Sequence, residues 1–130
     1  MPLERINLPL SPDAGEYSHH VVKDGNTVYL SGQVGYDKDH ELSGDAAAQI
    51  EQTFKNVQSA LTSVGSDMRH IIKMIVCMTS KSFPEDLPTV LAIRAKYIPD
   101  ESAPAGTLLL FASLGDPDIS FQLDIIASIP

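Results

Sequence analysis

Between residues 70 and 80 the chain reads HIIKMIVCMTS, a run rich in β-branched residues and almost continuously apolar. Such a run is too short to cross a bilayer and too uniformly apolar to lie half-wetted on a surface, so Ile71 to Met78 reads as a strand buried on both faces. A chain of 130 residues carries one hydrophobic core and one domain over 1–130. Helices can cover one face of such a strand. In so short a chain the natural cover for the other face is a second subunit, so self-association is expected from pattern alone.

The remaining periodicities fit around this strand. Residues 1 to 16 hold three prolines and little pattern, and read as an irregular arm. His19 to Lys23 and Thr27 to Val34 are β-rich runs flanking an Asp24-Gly25-Asn26 turn, a hairpin signature. From Asp45 the period changes. Ala47, Ile50, Phe54, Val57, Leu61 and Val64 step by three and four, the stripe of an amphipathic helix. Ser43 or Asp45 can cap its start, and Gly65 can close its end in the left-handed conformation. A second helix is expected over FPEDLPTVLAIRAKYI, beginning near Pro88, since proline is tolerated only in a first turn. Gly106 to Leu114 and Ile119 to Ala127 read as strands, the latter with Ile119, Phe121, Leu123, Ile125 and Ala127 on one face. The order is β-β-α-β-α-β-β, an α+β fold with a mixed sheet and two helices on one face.

Charge and composition exclude several function classes. The net charge is −8, and the nine Lys and Arg are scattered singly, so a nucleic-acid surface is not expected. Anionic membranes are disfavoured for the same reason. The polar, proline-broken start is unlike a secretory signal, and a cytoplasmic protein is expected. Cys77 is the sole cysteine, inside an apolar run where a small buried hydrophobe is its ordinary role. No metal-spaced cluster, phosphate loop or nucleophile elbow is present, so neither metal nor cofactor is called for.

Three polar features stand against this background. His19 and His20 are adjacent, so on a strand they face opposite sides and cannot chelate one ion together. Either could act as a base near neutral pH, although a hydrogen-bonded strand histidine is the commoner case. His40 sits in a polar loop and His70 before a strand, neither with a visible partner. Gln122 and Asp124 interrupt an apolar strand, while Ile126 breaks the polar alternation, so their face is not fully wet and calls for partners. Arg94 lies within the apolar stripe of the second helix, where a guanidinium either snorkels outward or pairs with an anion.

The segments GEYSHHVV, TVYLSGQVG, AAAQIEQTFKNVQSALTSVGSDMRHIIKMIVCMT and APAGTLLLFASLGDPDISFQLDIIA resemble the YjgF family, also called Rid, for reactive intermediate deaminases. The likeness spans almost the whole chain. Its most specific marks are the Ser-Gly-Gln-Val strand and the Gln-x-x-x-Asn-Val helix. The resemblance implies a chorismate-mutase-like homotrimer with a ligand cleft at each subunit interface. It also implies cofactor-independent hydrolysis of small enamines and imines.

By the same resemblance Tyr17 matches a cleft tyrosine, and Gly32, Gln33 and Val34 match the segment lining the pocket. The family's Pro-Ala-Arg-Ser motif, whose arginine grips the substrate carboxylate, here reads Pro104-Ala105-Gly106-Thr107, followed by Leu108. The family's cleft glutamate falls on Gln122, which cannot serve as a carboxylate base. The expected ligand set is therefore Tyr17 and Gln122 for proton handling or polar contact, with Gly32, Gln33, Val34, Arg94, Gly106, Thr107 and Leu108 around the substrate. Two functions fit: an enzyme for an altered imine, enamine or activated carbonyl compound, and a catalytically silent trimer that binds a metabolite or a protein. Ribonuclease activity, attached to some relatives, conflicts with the acidic charge.

Overall fold

Six strands form one mixed sheet, in the order β1-β2-β3-β6-β4-β5. A computed structural model describes residues 2–8 and 19–130 of the chain. The strands are β1 (Glu4–Ile6), β2 (Val21–Asp24), β3 (Thr27–Leu30), β4 (Ile71–Thr79), β5 (Ala105–Phe111) and β6 (Phe121–Ser128). The helices are α1 (Ala46–Ser63) and α2 (Leu87–Tyr97). The α+β class and the mixed sheet match the sequence reading. One strand was not foreseen: β1 forms within the proline-bearing arm by pairing antiparallel to β2, Arg5 opposite Val22. Three residues carry too little periodicity to announce a strand, and pairing with a formed neighbour decides it.

The hairpin turns at Gly25, which takes the left-handed conformation at φ +59. Helix α1 starts where Asp45 accepts a hydrogen bond from the Ala48 amide, and it ends before Gly65 at φ +86, the expected left-handed stop. Its buried face is Gln49, Ile50, Thr53, Phe54, Val57, Ala60 and Leu61. Ala47, expected on the stripe, is exposed because the apolar face begins one turn later. Helix α2 begins at Leu87 with Pro88 in its first turn, as proline's missing N–H allows.

The core lies between the helices and one sheet face. On β6 burial alternates strictly: Phe121, Leu123, Ile125 and Ala127 are buried, while Gln122, Asp124, Ile126 and Ser128 are half-buried. Opposite them on β4, Met78 pairs with Phe121, Val76 with Leu123 and Met74 with Ile125. Buried Gln49 ties α1 to this layer. Its Nε2 donates to the carbonyls of Ser43 and Asp118, and its Oε1 accepts from the amide and hydroxyl of Ser120. That anchor also delays β6, which begins at Phe121 rather than Ile119.

The uncovered apolar surface is not where β4 alone placed it. Strand β4 lies inside the sheet between β6 and β5, and its second face is partly screened: Cys77 is buried and Ile75 half-buried. The exposed strand is β5, which ends at Phe111 rather than Leu114. It pairs parallel to β4 on one side only, and all seven of its residues are exposed, including Leu108, Leu109, Leu110 and Phe111. An apolar edge of this kind requires cover.

Candidate functional site

The sheet face turned away from the helices carries the polar residues singled out from the sequence. Cross-strand partners project to the same side. Asp124, Ile75 and Thr107 therefore form one row across β6, β4 and β5, and Gln122, Cys77 and Leu109 form the next. Lys73 stands beside the first row and donates from Nζ to Thr107 Oγ1 at 2.9 Å. Gln122 Nε2 donates to Asp124 Oδ1 at 3.0 Å.

The segment after β3 closes over this pair. Tyr29 is opposite Ile126, yet Gln33 is opposite Leu123, so one extra residue is accommodated between Leu30 and Gly32. This is a β-bulge, a device that re-aims side chains beside functional sites. Gln33 is held by two backbone hydrogen bonds to Leu123, each 2.9 Å, and its Nε2 turns back to the Ser31 carbonyl at 2.8 Å. Gly32 lies directly against the polar pair. A Cβ there would stand 2.6 Å from Gln122 Nε2 and 3.0 Å from Asp124 Oδ1, so any side chain at this position requires the glutamine amide to move.

Helix α1 holds the far end of the segment. Asn56 Nδ2 donates to the carbonyls of Val34 and Tyr36 at 2.8 and 2.7 Å, and Gln52 Nε2 donates to Asn56 Oδ1 at 2.8 Å. Gln52, Asn56 and Val57 form the Gln-x-x-x-Asn-Val pattern of the sequence. In the structure Asn56, held by Gln52, clamps the Val34–Tyr36 backbone, and Val57 fills the core.

The histidines fall into distinct roles. His20 Nδ1 accepts the Leu8 amide, and its Nε2 is buried without a hydrogen-bond partner among the described residues. Burial first, and the neighbouring His19 second, push its pKa below the usual imidazole value. The carbonyls of His19 and His20 receive the hydroxyl and amide of Ser31, joining this corner to the bulge. The remaining two have partners the sequence did not reveal. His40 stacks on Tyr36 at 4.4 Å, and His70 Nδ1 lies 2.7 Å from Asp67 Oδ1. Burial, and to a lesser degree the charge of Asp124, raise the Cys77 thiol to about 11. It stays protonated at neutral pH, in keeping with its reading as a buried hydrophobe.

Not all expected site residues share this face. Gly106 and Leu108 pair with Met74 and Val76, so they project to the helix side, away from Gln122 and Thr107. Arg94 is half-buried in a groove of about 250 Å³ with Leu91, Ala95, Ile98, Asp100 and Ala103, and it forms no ion pair among the described residues. Gly32 and Gln122 thus come together within one chain; Gln33, opposite Leu123, projects to the helix side by the same rule, and Gly106, Leu108 and Arg94 do not join the pair. Tyr17 lies outside the described residues. Asp124 completes the polar set, and its signal was visible in the sequence as the second polar residue of an apolar strand.

Among the described residues no helix is long and apolar enough to cross a membrane. Residues 10–129 match the family model described as Endoribonuclease L-PSP. The chain is 28% identical over 127 residues to "Protein MMF1, mitochondrial" of Saccharomyces cerevisiae, covering 96% of this chain and 83% of the relative. It is 33% identical over 95 residues to the human "2-iminobutanoate/2-iminopropanoate deaminase", covering 71% of this chain and 66% of that protein. The crystal structure of RidA from the Antarctic bacterium Psychrobacter sp. superposes with a TM-score of 0.86 at 27% identity, covering 97% of this chain and 99% of the other. With the bulged Ser-Gly-Gln segment, its amide clamp and this sheet order, these likenesses establish that the chain belongs to the YjgF/Rid family, the family of the Endoribonuclease L-PSP model.

Proposed function

We propose that the protein hydrolyses an imine, an enamine or an activated carbonyl compound without a cofactor, in a cleft between subunits of a homotrimer. We propose further that 2-imino acids such as 2-iminobutanoate are poor substrates. The observation carrying the second statement is Gly106. A Cβ at that position would meet only the Met74 carbonyl oxygen, at 3.7 Å, an ordinary contact. Space for a side chain is therefore available, and the glycine itself brings no cation to it. A bidentate guanidinium–carboxylate contact contributes about 1.5–3 kcal/mol, which corresponds to roughly 10- to 100-fold in binding.

The two sheet faces support the intersubunit reading. Gly106 and Leu108 project to the opposite side from Gln122, so a single chain cannot bring them around one ligand. A second copy whose exposed β5 edge covers the open face supplies both halves, and it buries the apolar run Leu108 to Phe111. In that assembly Gly32, Gln122 and Thr107 of one copy form one wall and Gly106 and Leu108 of the next the other, with Gln33, Val34, Tyr17 and Arg94 at the margins. The solitary buried thiol fits a reducing compartment such as the cytoplasm, and the yeast relative's name gives the mitochondrion.

The second reading, a silent metabolite-binding trimer, is favoured by Gln122 alone, since an amide cannot take a proton as a carboxylate does. One assay separates the two. Purified protein is mixed with freshly generated 2-iminobutanoate and, separately, with an uncharged benzaldimine, and the carbonyl product is followed. Hydrolysis of the benzaldimine with little acceleration of 2-iminobutanoate is expected. Rapid turnover of 2-iminobutanoate, at the rate of an arginine-bearing relative, overturns the substrate claim, and no turnover of either leaves the silent binder.

A further inference from the structure

Gln122 occupies the position where the family's pattern calls for a carboxylate, but the open face is not without one. Asp124 lies two residues further along β6, on the same face, half-buried between Ile75 of β4 and the bulge at Gly32. Its Oδ1 accepts the Gln122 amide at 3.0 Å. It forms no ion pair among the described residues, and Lys73, on the same face, donates to Thr107. Its Oδ2 has no hydrogen-bond partner among them and is not among the buried atoms left unsatisfied, so it remains accessible. A half-buried carboxylate with one oxygen oriented by an amide and the other free is poised to accept a proton or hold a cation.

We propose that Asp124 is the carboxylate that faces the C=N group of the ligand, with Gln122 as the residue that positions it. The assignment rests on the imine-hydrolysis reading for its chemistry but not for its placement. In the reaction Oδ2 takes a proton from water as the water oxygen bonds to the imine carbon and the C=N π pair moves to nitrogen. The carboxylic acid then returns that proton to nitrogen, giving a carbinolamine. When the carbinolamine collapses, its hydroxyl proton passes to nitrogen through the same carboxylate, the C–N bond breaks and the carbonyl forms. One water enters, one ammonia or amine leaves, and Asp124 ends as it began. No oxidant or reductant takes part.

Gln122 does what a second carboxylate could not. Its Nε2–H holds Oδ1 without adding negative charge beside Asp124. Gly32 contributes by its missing side chain, since any Cβ would displace the amide that orients the carboxylate. Buried Cys77, next to Gln122 across the strand pair, reports on the same charge, because Asp124 is one cause of its raised thiol.

Two measurements on the full chain test this assignment. Acetamidine, a stable planar mimic of a protonated imine, is titrated calorimetrically into the wild type, Asp124→Asn, Asp124→Glu and Gln122→Leu. Benzaldimine hydrolysis is followed for the same four proteins. Asp124→Asn is expected to bind acetamidine at least 10-fold more weakly and to lower kcat about 100-fold at little-changed KM. Asp124→Glu is expected to recover part of both, and Gln122→Leu to lower kcat about 10-fold while lowering the Cys77 thiol pKa less than Asp124→Asn does. That last comparison separates loss of orientation from loss of the charge. Acetamidine binding that is absent in the wild type, or equal in Asp124→Asn, overturns the assignment, as does undiminished hydrolysis by Asp124→Asn. Asp124-dependent acetamidine binding without hydrolysis of any imine overturns the hydrolase reading and supports the placement of Asp124.

Discussion

The side-chain amide of Gln122 donates to the carboxylate of Asp124 across 3.0 Å, on the sheet face that neither helix covers. Gly32 lies against both groups, which makes the backbone of the bulge part of the same constellation. Gly32→Ala would place a methyl 2.6 Å from Gln122 Nε2, and the glutamine has to leave its position. Because the group displaced is the far end of a flexible side chain, Tm should change little, and the effect should fall on the orientation of Asp124. Binding of acetamidine should weaken several-fold. An alanine variant with wild-type binding contradicts the packing described for the bulge.

Gly106 behaves differently because the space beside it is open. Gly106→Arg adds a Cβ in ordinary contact with one carbonyl oxygen, on an exposed edge strand. Strand glycine is itself unfavourable, so Tm should stay within a degree or two or rise. The variant is expected to gain roughly 10-fold or more in kcat/KM for 2-iminobutanoate. A folded variant with the wild type's oligomeric state and no such gain means that the missing cation is not what limits this substrate.

The elements were legible in the sequence to the extent that one face of each was apolar and its ends were marked. Helix α1 has both, with Asp45 at its start and Gly65 after its end, and it was found nearly whole. Strand β1 has neither, and it forms only because β2 is present to pair with it. The polar alternation of β6 was visible, which brought Gln122 and Asp124 forward together. What could not be read was the bulge at 30–32, since an extra residue in a strand leaves no compositional trace. The bulge brings Gly32 onto that pair. Nor could the sequence show that Gly106 and Gln122 project to opposite faces, because that depends on the register of β5 against β4 and β6. The role of Asn56 was hidden for a similar reason: its two carbonyl partners are 20 and 22 residues away.

Arg94 tests the ligand's charge from another side. Its guanidinium lines the α2 groove, half-buried and without an ion pair among the described residues, so an external anion is a natural partner. Arg94→Ala should change stability by no more than about 0.5 kcal/mol if the stem packs lightly. It is expected to weaken a carboxylate-bearing ligand about 10-fold and to leave an uncharged one unaffected, as read by titration calorimetry with a matched acid and amide. Equal affinities in the variant and the wild type remove Arg94 from the site.

His20 links the N-terminal strand to pH. Neutral imidazole accepts the Leu8 amide at Nδ1, and a protonated ring cannot, since both nitrogens then carry protons. Burial lowers the folded-state pKa below the ordinary imidazole value, so the unfolded chain binds a proton more readily than the folded one. The stability from neutral His20 is therefore fully present above about pH 6.5 and is lost as pH falls from there through the lower folded value. Hydrogen exchange at the Leu8 amide is the direct readout. After correction for intrinsic rates, protection there should decline on acidification through this window, while the amide of core Leu123 stays protected. In His20→Gln, whose side chain does not titrate there, the relative protection of the two amides should become independent of pH. Protection at Leu8 that is unchanged between pH 7.5 and 5 in the wild type would show that the imidazole does not hold this strand in place.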